Sequence, residues 1–173
     1  MLAGIGVILP LFVVLEAALI AFRRLDLALR WGAGFGVCLV GTYILKWLDQ
    51  QADYPPMFPS GHVSMAVYTY GGLAFLLLAR DKRSEIAGVL IVAIVGLFVG
   101  LSRVEITRHN WFDVCGGIAL GIACLPLVGC PRRWPVLAPR ARIALAIIFA
   151  IALIPVLRFG PILDSRLHRI VAY

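Results

Sequence analysis

The sequence predicts an all-α polytopic membrane protein with six transmembrane helices in one bundle, and three observations lead there. Of its 173 residues, 62% are hydrophobic and 14% charged, whereas soluble domains run at roughly 45–50% apolar and about 25% charged. Mean hydropathy is +0.97, so hydrocarbon is the natural surrounding for most side chains. Six apolar runs are separated by short connections. The length suits one domain, residues 1–173, and no second one.

The first run, Leu2 to Phe22, has no basic segment ahead of it, and Arg23 and Arg24 follow it. It reads as a retained helix, not a cleaved signal. The others are Trp31 to Leu45, Val63 to Ala79, Ile86 to Leu101, Val114 to Cys130 and Ile143 to Leu157. Several are short for a hydrocarbon layer of about 30 Å, so flanking Arg, Lys and Trp must snorkel or the bilayer must thin. Glycines recur four apart as Gly32 and Gly36, Gly96 and Gly100, and Gly117 and Gly121, the spacing that lets helix backbones approach closely. Packing within the chain is the expected use. Cys38, Cys115, Cys124 and Cys130 form no CxxC pair and lie in or beside apolar runs, which reads as small buried hydrophobes.

The net charge is +7 and the pI about 9.8, but the arginines sit between apolar segments and not along one helical stripe. That pattern excludes a nucleic-acid partner and points to membrane topology. The first, third and fifth connections hold ten Lys and Arg, and the opposite side six. By the positive-inside rule the former are cytoplasmic, and both termini face outward. Trp47 and Trp111 fall where an outer aromatic belt belongs. The tail from Arg158, with Asp164, Arg166, His168 and Arg169, reads as an interfacial segment. Glu16, a carboxylate inside the first run, is either functional or hydrogen-bonded to a neighbouring helix.

The second and fourth connections share the outward side and carry nearly all the unusual polar residues. Lys46, Asp53, Ser60, Gly61 and His62 belong to the second; Ser102, Arg103, Glu105, Arg108, His109 and Asp113 belong to the fourth. Arg offers a planar fork of donors, Lys a point charge, and the N–H groups of a Ser-Gly turn at a helix start add neutral donors. The set suits a dianionic group. His109 and Asp113 are four apart, so on a helix they share a face. The carboxylate then either fixes the imidazole tautomer or simply caps and anchors the helix. Pro59-Ser60-Gly61-His62 is either a turn in which Ser60 caps the third span or part of an anion site.

Taken together, Pro59-Ser60-Gly61-His62 and Ser102-Arg103, five residues, His109, three residues, Asp113 resemble the second and third signature motifs of the type 2 phosphatidic acid phosphatase family, motifs shared with vanadium haloperoxidases. The resemblance covers a motif-bearing core from about Lys46 to Gly121. It implies that His109 is the nucleophile forming a phosphohistidine, that Asp113 orients it, and that His62 is the general acid and then the base that activates water. It implies that Lys46, Arg103, Ser60 and the Gly61 N–H bind the phosphoryl oxygens, with no metal and no cofactor. Beside these, Arg108 either substitutes for a missing phosphate clamp or points toward lipid headgroups, and it and Ser102 are the accessory candidates. The family's first motif, a Lys, six residues, then Arg-Pro, is altered: Lys46 is followed by Asp53-Tyr54-Pro55. Asp53 is expected to face solvent or to pair with Lys46 or Arg108.

The resulting expectation is an integral membrane lipid phosphatase of a bacterial-type inner membrane, its site facing the periplasm or exterior and its substrate arriving from the bilayer. Polyprenyl diphosphate, phosphatidate, phosphatidylglycerol phosphate and lipid A phosphate all fit, and the oligomeric state is left open. The alternatives are a lipid phosphotransferase with the same intermediate and a non-catalytic headgroup-binding subunit.

Overall fold

The computed structural model describes residues 5–49, 58–78, 82–106, 110–129 and 137–171. Within them the chain is all-helical, with six α-helices and no strand: α1 (Ile5–Ala21), α2 (Leu25–Asp49), α3 (Gly61–Leu78), α4 (Lys82–Ile106), α5 (Trp111–Cys124) and α6 (Pro139–Val171). A 3₁₀ turn, Leu125–Leu127, follows α5. Pro126 sits in that turn; it has no N–H to continue the α-helical ladder, so α5 stops short of the Cys130 expected from hydropathy.

Each expected span corresponds to one helix, but three helices run past their apolar segments. α2 and α4 have 25 residues each and α6 has 33, about 50 Å at the standard helical rise. Charged residues thus ride on helices where hydropathy alone suggested loops, Asp26 and Lys46 near the ends of α2 and Arg158 within α6. α2 and α3 are long and apolar enough to cross a membrane, while the apolar parts of α1, α4 and α5 are shorter.

α3 is the hub. It packs against α2, α4 and α5 and touches α1 and α6, while α1 and α6 pair with each other at the side. Within α3, 78% of residues are buried against 39% in the apolar window of α2. Its Tyr68 is fully buried and donates to the Trp31 carbonyl at 2.8 Å. Gly34 leaves the room that the Tyr68 hydroxyl fills. The outer faces of the surrounding helices are apolar: Leu29 is 73% exposed, Phe98 70% and Ile154 71%.

The turn from α1 to α2 is closed by Arg23 in the left-handed region, φ 57°. The Arg24 N–H reaches back to the Leu19 carbonyl at 3.0 Å, the pattern of a Schellman C-cap. Arg24 then pairs with Asp26 at 3.1 Å on the surface.

The glycine and cysteine expectations are met unevenly. A Cβ on Gly96 would stand 3.2 Å from Ile118, and one on Gly100 would press on Val114, so both admit α5 side chains. Gly36 has nothing within 4 Å, and its spacing is coincidental. Cys38 and Cys124 are buried, but Cys115 is exposed. In a helix apolar on every side, hydrophobicity cannot tell which residues turn inward. Cys130 lies outside the described residues. Glu16 Oε1 lies beside Gly32 of α2, and its buried Oε2 makes no hydrogen bond among the described residues.

Candidate active site

The C-terminal ends of α2 and α4 and the N-terminal ends of α3 and α5 meet at one end of the bundle. The joint is made by backbone. Ser60 N–H donates to the Asp113 carbonyl at 2.9 Å, tying the residue before α3 to the first turn of α5. Gly117, one turn further along α5, lies against the same segment, where a Cβ would stand 2.6 Å from the Ser60 carbonyl oxygen and 3.0 Å from Val63 Cβ. Gly121 repeats the contact one turn on, 2.7 Å from the Ser64 carbonyl oxygen. This close approach is the expected use of the Gly117 and Gly121 pair.

α3 begins without a side-chain cap. The Ser60 carbonyl accepts from Val63 N–H at 3.1 Å and Ser64 N–H at 3.0 Å, starting the helical ladder. The Ser60 hydroxyl, on a fully buried residue, makes no hydrogen bond among the described residues. Of the two readings of Ser60, the hydroxyl cap is therefore absent. Gly61 and His62 follow in the first turn of α3, where helical N–H groups have no intrahelical carbonyl and the helix dipole is positive. Gly61 is buried, and a Cβ there would meet Thr42 of α2 at 2.9 Å. His62 is half-buried.

α2 is fixed to this corner by Thr42. Its hydroxyl donates to the Cys38 carbonyl at 2.8 Å and shares a hydrogen bond with Ser64 Oγ at 3.1 Å, and Ser64 in turn donates to the Gly61 carbonyl at 3.0 Å. Lys46, half-buried, lies one turn beyond Thr42 on α2, so the helical register puts it on the face turned toward the α3 start. Asp49, three residues further along, accepts from Phe58 N–H at 3.2 Å and anchors the chain as it enters α3. The ring of Phe58 stacks on Phe112 at 4.8 Å between centroids and covers Gly116.

α5 opens with a capping box. Asn110 Oδ1 accepts from Asp113 N–H at 2.9 Å, and Asp113 Oδ2 accepts from Asn110 N–H at 3.0 Å. Asp113 is 3% exposed. Its carboxylate therefore does the capping that was one of the two readings of the His109 and Asp113 spacing. Ser102 is half-buried on α4 and its hydroxyl donates to the Val99 carbonyl at 2.7 Å. Arg103 follows it on α4. His109, Arg108 and Asp53 lie outside the described residues.

Four polar residues of this corner escaped the sequence reading. Asn110 had a signal, since Asn-x-x-Asp ahead of an apolar run is a capping box. Thr42, Ser64 and Asp49 had none, because the bonds that place them, Thr42 to Ser64 and Phe58 to Asp49, join different segments.

A family model for the PAP2 superfamily matches residues 38–135, a stretch that holds every polar residue of this corner. Phosphatidylglycerophosphatase B of Bacillus subtilis is 29% identical over 134 residues, covering 70% of this chain and 66% of that protein. Lipid phosphate phosphatase 2 of Arabidopsis thaliana is 39% identical over 75 residues, 38% of this chain and 25% of that protein. Probable lipid phosphate phosphatase 4 of the same plant is 33% identical over 75 residues, 23% of its length. The chain thus spans just under two thirds of the bacterial relative and about a quarter of the plant ones. No solved structure matches it.

Proposed function

The chain belongs to the PAP2 superfamily, and from that membership we propose that it is an integral membrane phosphatase acting on lipid phosphates, with its reaction centre at the α2, α3, α4 and α5 corner. The observation that carries the reading is the Ser60 to Asp113 backbone bond of 2.9 Å. It joins the Pro-Ser-Gly-His segment to Asp113, the last residue of the other motif, which supports reading the two motifs as one site. Exposed Leu, Ile and Phe on the outer faces fit six spans immersed in lipid.

The chemistry follows from the residues. A phosphate at the α3 start is met by the Gly61 and His62 N–H groups and the Ser60 hydroxyl, with Lys46 and Arg103 supplying positive charge. Arg108 is an accessory cation and Ser102 an accessory hydroxyl. His109 attacks phosphorus through an imidazole nitrogen as the phosphorus–oxygen bond to the lipid breaks, and His62 gives its proton to the departing oxygen. In the second step His62 takes a proton from water, the water oxygen bonds to phosphorus, and the bond to His109 breaks. The donors are held by backbone bonds and helix ends before the charge develops, which is what transition-state stabilisation requires. Asp113, fixed by Asn110, positions the start of α5 and orients His109. Asp53, at the altered first motif, removes one phosphate clamp of the family pattern. No cofactor or metal is needed for these steps. The motif-bearing core, residues 46–121, acts within a single domain of residues 1–173.

The test is phosphate release from a panel of phosphatidate, phosphatidylglycerol phosphate, polyprenyl diphosphate and lipid A phosphate in detergent with EDTA, wild type against His109→Ala. Release that survives EDTA and disappears in the variant is expected. Transfer of phosphate to a lipid or sugar hydroxyl instead of water would make the protein a phosphotransferase, and binding with neither reaction would make it a headgroup-binding subunit. The proposed setting is the inner membrane with the site facing outward and both termini outside. Leu48→Cys, at an exposed position next to Asp49, should label from the external side; labelling only from the cytoplasm would reverse the orientation.

A further inference from the structure

The last two turns of α2 have distinct inner and outer sides. Tyr43, Ile44, Trp47 and Leu48 are exposed, while Thr42 is buried and Leu45, Lys46 and Asp49 are half-buried, the three- and four-residue spacing of one helix face. The inner stripe continues back through Cys38 and Phe35 to Trp31, all buried. Thr42 and Asp49, two turns or about 10 Å apart along the axis, are each bonded to the segment that starts α3. The Thr42 hydroxyl shares a hydrogen bond of 3.1 Å with Ser64 Oγ, and its methyl is what a Cβ on Gly61 would meet at 2.9 Å. Asp49 Oδ2 accepts from Phe58 N–H at 3.2 Å. Lys46 stands between these two fastenings, and the segment they grip, 58–64, holds Ser60, Gly61 and His62.

We propose that Thr42 and Asp49 are positioning residues for Lys46, a two-point clamp that fixes the root of its side chain against the phosphate-binding start of α3. The proposal rests on the phosphatase reading above and adds what keeps its lysine in place. Three observations carry it. One bond would let the end of α2 pivot, whereas bonds on both sides of Lys46 fix the turn between them in distance and in rotation. Asp49 spends its carboxylate on a backbone N–H and forms no ion pair among the described residues, so it holds the helix without neutralising Lys46. The first motif carries Asp53 where the family pattern has arginine, so Lys46 is the one cation that motif retains. Lysine is a point charge on a flexible stem, and anchoring its root contributes orientation.

The experiment is a double-mutant cycle on the full chain in detergent, read as phosphate release from phosphatidate. Asp49→Leu and Thr42→Val, each close in size to the residue replaced but lacking its bond, should lower kcat/KM about ten- to a hundredfold. Asp49→Asn and Thr42→Ser, which keep the acceptor oxygen and the hydroxyl, should stay within about threefold of wild type. Lys46→Ala should lower kcat/KM about 10²–10³-fold. Adding Asp49→Leu or Thr42→Val to Lys46→Ala should then cost less than about twofold more, because the clamp has nothing left to hold. Loss of folding would instead lower the rate by the same factor with or without Lys46. Additive losses in either cycle overturn the proposal, and so does an Asp49→Asn variant as slow as Asp49→Leu. A second readout needs no turnover. Inorganic phosphate should protect Lys46 from acetic anhydride in wild type and Asp49→Asn, and about tenfold more of it should be needed in Asp49→Leu and Thr42→Val. If no phosphate is released while this protection pattern holds, the clamp stands and the phosphatase reading falls. If phosphate is released and the losses are additive, the clamp falls alone.

Discussion

The α3–α5 joint and the α1–α6 pair are both helix contacts within one small bundle, and they are built differently. At the first, backbone meets backbone: Gly117 and Gly121 lie against the Ser60 and Ser64 carbonyls, and Ser60 bonds Asp113 across the gap. At the second the helices also run close together, but no glycine-to-carbonyl contact is found there among the described residues. Buried residues of α1 include Ile8, Leu11, Leu15 and Leu19, at three- and four-residue spacing, and α6 buries Leu145. A contact through aliphatic side chains can repack, whereas one through carbonyls and missing Cβ atoms cannot. The rigid contact carries the groups assigned to chemistry, where positional error is most costly.

The largest effect should come from breaking the rigid contact. Gly117→Ala places a methyl where 2.6 Å is available. It should cost about 1–3 kcal/mol in thermal unfolding and lower phosphate release at least about a hundredfold by displacing Ser60 from Asp113. Ser60→Ala separates chemistry from packing at the same spot. Its hydroxyl has no partner among the described residues, so stability should hold while kcat/KM falls about 10²–10³-fold, the loss expected for one transition-state donor. Loss of stability without loss of rate would remove Ser60 from the phosphate site. On the tolerant side, Leu11→Ala should cost about 2 kcal/mol and leave kcat/KM of the folded protein unchanged. Smallest of all, Arg23→Gly relieves a left-handed non-glycine residue and should stabilise by less than about 1 kcal/mol.

The same contrast explains what could be read in the chain. Six helices were legible because apolar runs of this length need intrasegment hydrogen bonds, and each run found its helix. Helix ends were not legible, since α2 and α6 continue through charged residues that hydropathy treats as loop. Facing was not legible either: Cys115 and Cys124 sit in the same apolar run, yet one is exposed and one buried. Glycine spacing found the α3–α5 contact but not its partner, because Ser60 is distant in sequence. It also flagged Gly36, which touches nothing. At the polar corner, residue types marked the place, and roles divided according to local bonding. Asp113 had two readings, and its capping of α5 became visible only once Asn110 was seen to bond it reciprocally. Ser60 likewise had two, and the carbonyl, not the hydroxyl, starts α3.

The Ser60 to Asp113 bond also sets a clock on biosynthesis. Its two ends leave the ribosome about 50 residues apart, which at roughly 5–20 residues per second is an interval of about 3–10 s. Throughout that interval α3 has no α5 to receive its carbonyl-lined face, and an N–H and a buried hydroxyl stand without their setting. A chain interrupted after α4 therefore carries the Pro-Ser-Gly-His segment intact and still lacks its Asp113 partner. On the proposed function, the site is completed only when the fifth helix docks.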